Sequence, residues 1–361
     1  MPPVPPTTDA AIPLRRNDAL DGVRAIAVTA VFLYHARVTW GQGGYLGVSV
    51  FFALSGYLIT RNLLREVERG GRVDAKRFYT RRARRLLPAS AVAVVAATVV
   101  AAVRAVRPRV IEIVAALSGW KNWQLLADPS LGDSLVVWWS LAVEEQYYLL
   151  YPLVFVLLWR LGGRRATGRG LAVAALCSLA LLFALTAAGH TTQAYYGTHT
   201  RLWELLLGCL LAVAGGLPAR LRLPAWLPLL VVLGGQTNWF LGRLGHWQHP
   251  VRVVVTVLAT VALVDALERS PSGSVHRVLA ARPLRWVGEV SYEVYLVHTV
   301  VLLALPSLGG VRLLTVSAAY ALVLAVAALL HAAVTPLRAP SLTAPGSPHP
   351  SARNDASAPP R

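Results

Sequence analysis

The sequence carries little charge for its length of 361 residues. Charged side chains make up 14% of it and hydrophobic ones 55%, whereas roughly a quarter of the residues in soluble domains are charged. Its mean hydropathy is +0.53. This composition excludes an ordinary soluble domain and predicts an integral membrane protein.

Cysteine and lysine are also scarce. Cys177 and Cys209 both fall within apolar segments, where they act as small apolar residues and offer neither a metal site nor an obvious disulfide. We therefore expect no bound metal. Lysine occurs only at Lys76 and Lys121, so arginine carries almost all of the positive charge.

Acidic residues are half as frequent as basic ones, 17 against 35, which gives a formal net charge of +18. The arginines occur in short clusters between apolar runs rather than along one amphipathic face. This distribution is typical of loops that set membrane topology, and it argues against nucleic acid as a partner.

Neither end of the chain has the composition of a folded domain. The first 18 residues are rich in proline and lack the short apolar core of a cleaved signal peptide. The last residues are rich in proline, serine and alanine. We expect disordered cytoplasmic tails at 1–18 and 336–361, on either side of one membrane domain at 19–335.

Apolar runs of the length that a membrane-spanning helix needs, about twenty residues, recur along the chain. They predict an all-α, polytopic integral membrane protein with about ten transmembrane helices. The predicted spans lie at about 19–38, 45–63, 86–106, 135–159, 171–189, 201–217, 224–241, 250–267, 290–308 and 312–334.

The arginine clusters give these spans an orientation. If the N-terminus is cytoplasmic, the basic segments 61–85, 160–169, 220–222 and 269–285 all lie on the cytoplasmic side, as the positive-inside rule requires. One long outer segment, 107–134, also carries basic residues, and we interpret it as shaped for a substrate. We therefore predict a multi-pass plasma-membrane protein with both termini in the cytoplasm.

Two ionisable residues, Arg24 and His35, lie in the first apolar span, where such groups are functional candidates. Their spacing of eleven positions returns them to within roughly 20° of one helix face, about 16 Å apart along the axis. A helix with a snorkelling arginine and a packing histidine would show the same pattern. Next along the chain, Gly43, Gly44 and Gly47 should let the second helix pack closely and hold the first in place.

A dense cationic patch at 76–89 includes Arg82 and Arg85. Arginine binds phosphate oxygens through two parallel hydrogen bonds, so this patch suits a phosphorylated ligand. Anchoring to anionic membrane lipid, or setting topology, would need the same residues.

Glu144 lies inside the fourth span, where a carboxylate needs a partner. By depth we predict His35 as that partner, with the carboxylate orienting and stabilising the imidazole for acid/base catalysis. A structural ion pair or a proton relay would use the same residues.

Polar groups recur in later spans. His199, Arg201 and Glu204 fall at the predicted outer mouth of the sixth span, where they are candidates for binding an acceptor. His298 lies near the middle of the ninth span, close to Tyr295. Structural roles are equally compatible with these positions.

Six motifs in this order resemble the acyltransferase 3 family of integral membrane acyltransferases. They are LDGVRAIAV followed by His35, GYLGVSVFFALSGYLIT, RFYTRRARRLLP, WSLAVEEQYYLLYP, HTRLWELLLG and RPLRWVGEVSYEVYLVH. The resemblance covers nearly the whole chain. It implies that His35 is the essential histidine, Arg24 its paired arginine and Glu144 the glutamate of the S-L-x-V-E motif, with Arg82 and Arg85 forming the R-x-x-R.

The resemblance also implies an activity, because characterised members mostly O-acylate sugars. Acyl-CoA, in particular acetyl-CoA, would be the co-substrate, its phosphates held by Arg82, Arg85 and Arg24. His35 would act as general base on an acceptor hydroxyl at the extracytoplasmic side. Two departures, Ser49 where many members have aspartate and Val137 where they have histidine, are expected to alter the acceptor pocket.

Other functions remain open from the sequence. An acyltransferase that modifies a small molecule such as a macrolide would carry the same motifs. A glycan or lipid transporter would also have buried His, Arg and Glu, although we find no paired repeats of the transporter kind. The acceptor, carbohydrate or small molecule, is not determined, and a homo-oligomer is left open.

Overall fold

The computed structural model describes residues 17–106, 108–128, 130, 135–237, 245–305 and 313–338. Within these residues the fold is all-α and contains no strand, so the predicted fold class is confirmed. The α-helices in chain order are α1 (Asp18–His35), α2 (Gly47–Gly70), α3 (Ala75–Val103), α4 (Val110–Leu117), α5 (Lys121–Ala127), α6 (Trp138–Ala187), α7 (Thr191–Tyr196), α8 (Thr198–Ala214), α9 (Trp226–Gly235), α10 (Gln248–Arg269), α11 (Ser274–Leu279), α12 (Arg282–Glu289), α13 (Ser291–Ala304) and α14 (Leu313–Arg338).

The number of membrane spans is not confirmed at ten. In the described part of the chain, five helices are long and apolar enough to cross a membrane, or six if α12 and α13, bent by 73°, form one broken span. A helix occupies each predicted position, but α8 has 17 residues and α13 has 14, and α1 is interrupted by charged residues. The five are Gly44–Gly70, Ala75–Val103, Trp138–Ala187, Gly245–Arg269 and Leu313–Arg338.

Helix α6 combines two of the predicted spans, 135–159 and 171–189. Its backbone leaves helical geometry at Gly162 and Gly163, and Gly163 takes φ 60°, ψ −145°, a conformation that a residue with a Cβ rarely adopts. The helix is therefore broken at this glycine pair into two segments.

Local sequence signals set the helix ends. The Asn17 side chain accepts a hydrogen bond from the Ala19 amide at 3.2 Å and caps α1, and Asp74 caps α3 through the Arg77 amide at 2.9 Å. Short polar side chains at these positions satisfy amides that the first helical turn leaves free. The cap at Asn17 places Arg24 two turns inside α1.

Helix α1 packs against the start of α2 with almost no side chain between them. A Cβ at Gly44 would lie 1.9 Å from the Ala30 carbonyl oxygen, and one at Gly47 would lie 2.4 Å from the Ala27 carbonyl oxygen. The prediction that these glycines allow close approach is confirmed. They fix the C-terminal half of α1, which ends at His35.

Helix ends that carry arginine lie together on one face of the fold. Arg164, next to the glycine break in α6, pairs with Glu68 of α2 at 2.6 Å, and Arg285 of α12 pairs with Asp18 at 3.2 Å. Helix α1 therefore starts on this arginine-rich face, and His35 at its other end lies toward the opposite one.

Two of the basic residues in the predicted outer segment 107–134 are paired with acids. The Lys121 ammonium is buried, 3.4 Å from Glu112, and Arg109 lies 3.8 Å from Asp128. The pKa of Lys121 is lowered, because the effect of burial exceeds the opposing effect of the Glu112 carboxylate. These pairs neutralise positive charge that otherwise conflicts with the positive-inside rule. The predicted tails, 1–18 and 336–361, fall mostly outside the described residues and stay predictions.

Candidate functional site

A cavity of about 890 Å³ opens on the arginine-rich face between α1, α2, α3, α6 and α13. It contains all three residues predicted to hold a phosphorylated co-substrate, Arg24, Arg82 and Arg85. A neighbouring cavity of about 1180 Å³ shares Arg24 and Arg85. Further arginines in the lining of the first cavity are Arg65, Arg69, Arg72, Arg77 and Arg81. The structure thus gathers guanidinium groups from α1, α2 and α3 around one space.

Arg24 is half-buried and points into the cavity of about 890 Å³, which we call the inner cavity. Its Nε donates to the Ser291 Oγ of α13 at 3.2 Å, and its guanidinium lies 5.8 Å from the Phe51 ring centroid. These contacts hold the group inside the fold, so the placement does not match an arginine that snorkels to the interface.

Glu144 also belongs to the inner cavity. Its carboxylate accepts hydrogen bonds from Ser55 Oγ at 2.9 Å and Tyr148 Oη at 2.7 Å. The Arg82 guanidinium lies 4.1 Å from the centroid of the Tyr148 ring. Glu144 therefore orients Tyr148, whose ring makes a cation–π contact with Arg82.

The predicted pairing of Glu144 with His35 is wrong. Glu144 lines the cavity on the arginine-rich face and His35 does not. Their hydrogen bonds go to different partners.

His35 bonds instead with a second histidine. Its Nδ1 lies 2.9 Å from the Val31 carbonyl oxygen and 3.2 Å from Nε2 of His298. Nδ1 of His298 lies 2.6 Å from the Tyr295 carbonyl oxygen, and His298 is fully buried. The histidine pair joins the C-terminal end of α1 to α13.

These contacts fix the tautomers. A carbonyl oxygen only accepts, so Nδ1 of His298 carries a proton and Nε2 of the neutral ring is an acceptor. Nδ1 of His35 faces two acceptors, Val31 O and His298 Nε2, and must be the donor. Nε2 of neutral His35 is then unprotonated, which is the state that a general base needs.

The chain after His35 turns sharply away from α1. The Val38 amide donates to the Leu33 carbonyl at 3.1 Å and the Arg37 amide to the Tyr34 carbonyl at 3.0 Å, which is the hydrogen-bond pattern of a Schellman motif. Arg37 takes φ 57°, the left-handed conformation that this motif requires and that glycine usually supplies. The turn leaves the His35 ring at the helix end, facing a second cavity.

This outer cavity has a volume of about 570 Å³ and an aromatic wall. Besides His35, its polar residues include Arg37 and Gln42. A mostly aromatic lining with few polar groups is typical of small-molecule sites, which span roughly 300–1,000 Å³. The rings in its wall are Tyr34, Tyr45, Trp139, Tyr195, Tyr196 and Tyr295.

A thin barrier divides the two cavities. Among the described residues, only Val48 and Tyr295 line both. The Tyr295 hydroxyl lies 2.5 Å from Ser140 Oγ and donates to the Val137 carbonyl at 3.1 Å. Val48 and the Tyr295 ring, which is anchored to the start of α6, therefore lie between the arginine-lined cavity and the cavity that His35 lines.

The three residues predicted to bind an acceptor lie beside the outer cavity rather than in its lining. Arg201 and Glu204 are fully buried and form an ion pair at 2.8 Å. Arg201 lies 5.5 Å from the Trp139 ring and 5.7 Å from the Tyr195 ring. His199 is half-buried and stacks on a tryptophan of α5. This arrangement supports the aromatic wall; direct contact with an acceptor stays a prediction.

The two positions noted as departures from the family pattern also have defined contacts. Ser49 accepts a hydrogen bond from Arg201 at 3.2 Å, and Val137 lines the outer cavity. Sequence reasoning did not find the roles of His298, Tyr295 and Arg37. A histidine near mid-span was visible in the sequence, but its contact with His35 was not.

Comparison with known proteins gives matches over most of the chain. The family profile described as "Acyltransferase domain", that of the acyltransferase 3 family, matches residues 17–332. No solved structure matches the chain.

Three bacterial relatives show what the chain is similar to. The Bacillus subtilis protein named "Putative peptidoglycan O-acetyltransferase YrhL" is 35% identical in an alignment of 320 residues that covers 80% of this chain and 49% of that protein. The Staphylococcus aureus protein "O-acetyltransferase OatA" is 33% identical over 77% of this chain and 49% of its own length. The Listeria monocytogenes protein "Peptidoglycan O-acetyltransferase OatA" is 30% identical over 78% and 48%. The chain thus spans about half the length of these relatives.

Proposed function

Since the chain belongs to the acyltransferase 3 family, we propose that it is a membrane O-acyltransferase of the cell envelope. It moves an acetyl group from acetyl-CoA at the cytoplasmic face to a hydroxyl of a glycan at the outer face of the plasma membrane. Both termini are cytoplasmic in this proposal, which puts the arginine-rich face inside. Peptidoglycan, which the names of two relatives give as their substrate, is the proposed acceptor.

One observation carries the proposal. His35, with Nε2 free to take a proton, lines an aromatic cavity that is separated from the arginine-lined cavity by Val48 and Tyr295. A base at one end and a cationic site at the other is what a transferase needs if its two substrates arrive from opposite faces.

The inner cavity suits the donor. Coenzyme A carries phosphate groups at one end and a flexible arm ending in the thioester at the other. Guanidinium groups recognise phosphate oxygens through charge-assisted hydrogen bonds, and Arg24, Arg82 and Arg85 line the same space. With the phosphates at these residues, the arm runs along α1 toward Tyr295 and His35, over the roughly 16 Å that separates Arg24 from His35 on an ideal helix.

The outer cavity suits a sugar. Aromatic rings present flat apolar surfaces on which the C–H faces of a sugar ring pack, while a few polar groups orient it. His35 and Gln42 supply such groups beside the rings of Tyr34, Tyr45 and Trp139.

The proposed reaction is direct acyl transfer. The acceptor hydroxyl gives its proton to Nε2 of His35 as its oxygen attacks the thioester carbonyl carbon. A C–O bond forms, the C–S bond breaks, and the proton passes from His35 to the departing thiolate, so coenzyme A leaves as the thiol. The Val31 carbonyl and His298 stabilise the imidazolium that exists between these steps.

The test is transfer by purified protein in detergent, where no gradient exists. Radiolabelled acetyl-CoA and a peptidoglycan-derived tetrasaccharide are the substrates, and the product is the alkali-labile acetyl ester. We expect label transfer that is lost in His35→Ala, while His190→Ala, which changes an exposed histidine, retains it. Retained transfer in His35→Ala refutes the assigned base. Absence of transfer by the unaltered protein, with transport of the glycan in vesicles, refutes the acyltransferase proposal.

A further inference from the structure

Arg37 is a charged residue in the lining of the outer cavity that the reaction as described does not use. It follows His35 by two positions and is exposed to solvent. Its backbone is tied by the Schellman motif that ends α1, so its Cα is held at a fixed place beside the proposed base.

The charge of Arg37 is not balanced locally. Among the described residues that line the outer cavity, none is acidic. In the same described part of the chain, no carboxylate lies within ion-pair distance of Arg37, whereas buried Arg201 nearby is matched by Glu204. A cavity whose accessible charge is a single guanidinium favours a ligand that brings a negative group.

The backbone conformation of Arg37 fixes the point from which its side chain starts. At φ 57° a side chain with a Cβ is less stable than glycine, and glycine is the usual residue at this point of a Schellman motif. Ala105 takes φ 59° at the same point of the motif that ends α3, so the unbalanced charge of Arg37, and not its backbone angle, points to a ligand.

We propose that Arg37 binds an acidic group of the acceptor, a carboxylate or a phosphate, close to the hydroxyl that His35 deprotonates. This inference rests on the proposed function. It narrows the acceptor from glycans in general to anionic ones, and it makes Arg37 a specificity-determining residue of the outer cavity. The bidentate geometry of guanidinium suits both carboxylate and phosphate oxygens.

The experiment compares acceptors that differ in charge. The probes are a muramic-acid-containing tetrasaccharide with free carboxylates, its methyl ester, and the same ester carrying a phosphate at its reducing end. We expect kcat/KM for the free acid or the phosphate to exceed that for the ester by about 10- to 100-fold, the range for one hydrogen-bonded charge pair. The preferred probe identifies the source of the acidic group.

Substitutions assign that preference to Arg37. Arg37→Gln should bring the ratio of kcat/KM between acid and ester close to one, mainly through KM, and Arg37→Lys should restore part of it. Arg109→Gln, an outer-segment arginine away from the cavity lining, is the matched control and should keep the full ratio.

Arg37→Gly separates binding from folding. Glycine relieves the left-handed backbone, so we expect a higher unfolding temperature together with loss of the acidic preference. Equal kcat/KM for acid, phosphate and ester in the unaltered protein overturns the inference, as does an unchanged ratio in Arg37→Gln. Failure of the proposed function looks different, because then even the ester receives no acetyl group.

Discussion

Replacing His298 tests whether the histidine pair, rather than Glu144, prepares His35 for catalysis. The His35 proton on Nδ1 is shared between the Val31 carbonyl at 2.9 Å and His298 Nε2 at 3.2 Å. His298→Phe keeps an aromatic ring in a fully buried position and removes one of these two acceptors. The Val31 carbonyl remains as an acceptor, so His35 keeps a weaker preference for the tautomer with its proton on Nδ1.

The magnitude follows from the charge that His35 acquires. When Nε2 takes the acceptor proton, the hydrogen bond to His298 comes from a cation, and such bonds are worth about 1.5–3 kcal/mol. This amounts to a loss of about 10- to 150-fold in kcat. His35→Ala removes the base itself and should lose more, up to the roughly 10⁴-fold that general-base catalysis supplies.

The assay separates kcat from KM. His298 lines neither cavity, so KM for acetyl-CoA and for the glycan should stay within about twofold while kcat falls. His298→Gln should recover part of kcat, because its amide oxygen can accept from His35. Thermal unfolding of each variant checks that the fold persists. A normal kcat in folded His298→Phe, or a rise in KM alone, refutes the reasoning.

Three further changes probe the donor site, the barrier and the packing of α1. Arg82→Gln combined with Arg85→Gln should raise KM for acetyl-CoA by about 10-fold or more, measured by steady-state kinetics; an unchanged KM would mean that these residues serve topology. Tyr295→Ala should make sealed vesicles leak protons in a pH-dye assay without any substrate. Tyr292 lines the cavities on the arginine-rich face and not the outer one, so Tyr292→Ala should not cause a leak. Equal proton leakage in the two variants would contradict the barrier. Gly44→Ala places a Cβ where a backbone carbonyl stands 1.9 Å away, so it should destabilise the fold by about 1–3 kcal/mol in denaturant titrations, and a neutral effect would argue against this packing.

The helical fold and the grouping of three arginines around one space could be predicted, because both depend on local signals. Apolar run length identifies helices, and ionisable groups inside such runs are conspicuous. Arg24, Arg82 and Arg85 were assigned to one phosphorylated ligand, and all three line one cavity. The number of membrane spans was harder to predict, because α8 and α13 are too short to meet a criterion based on helix length.

Pairing across helices could not be predicted in the same way. The error over Glu144 arose because depth in a span does not tell which neighbouring helix a side chain faces, and the Glu144 carboxylate bonds with Ser55 of α2. His298 is more than 260 positions from His35, so nothing local links them. Only the packed arrangement of α1 against α13 shows that they touch.

Burial was the other property that the sequence did not reveal. Arg201 and Glu204 are three positions apart, a spacing at which helical residues are neighbours, and they were predicted to face an acceptor. They are fully buried and support the wall through Trp139 and Tyr195. The sequence did not single out Arg37, because its place in the lining of the outer cavity is visible only in the folded chain.

In the proposed reaction the acetyl group passes between faces, from a donor at the arginine-rich side to an acceptor at the His35 side. Its most direct test uses sealed vesicles in which the orientation of the protein is known, with radiolabelled acetyl-CoA on one side and the tetrasaccharide on the other. We expect acetylated glycan only when the donor is on the arginine-rich side and the acceptor opposite, and none in His35→Ala. Product formed with both substrates on one side, or with their positions exchanged, would contradict the account.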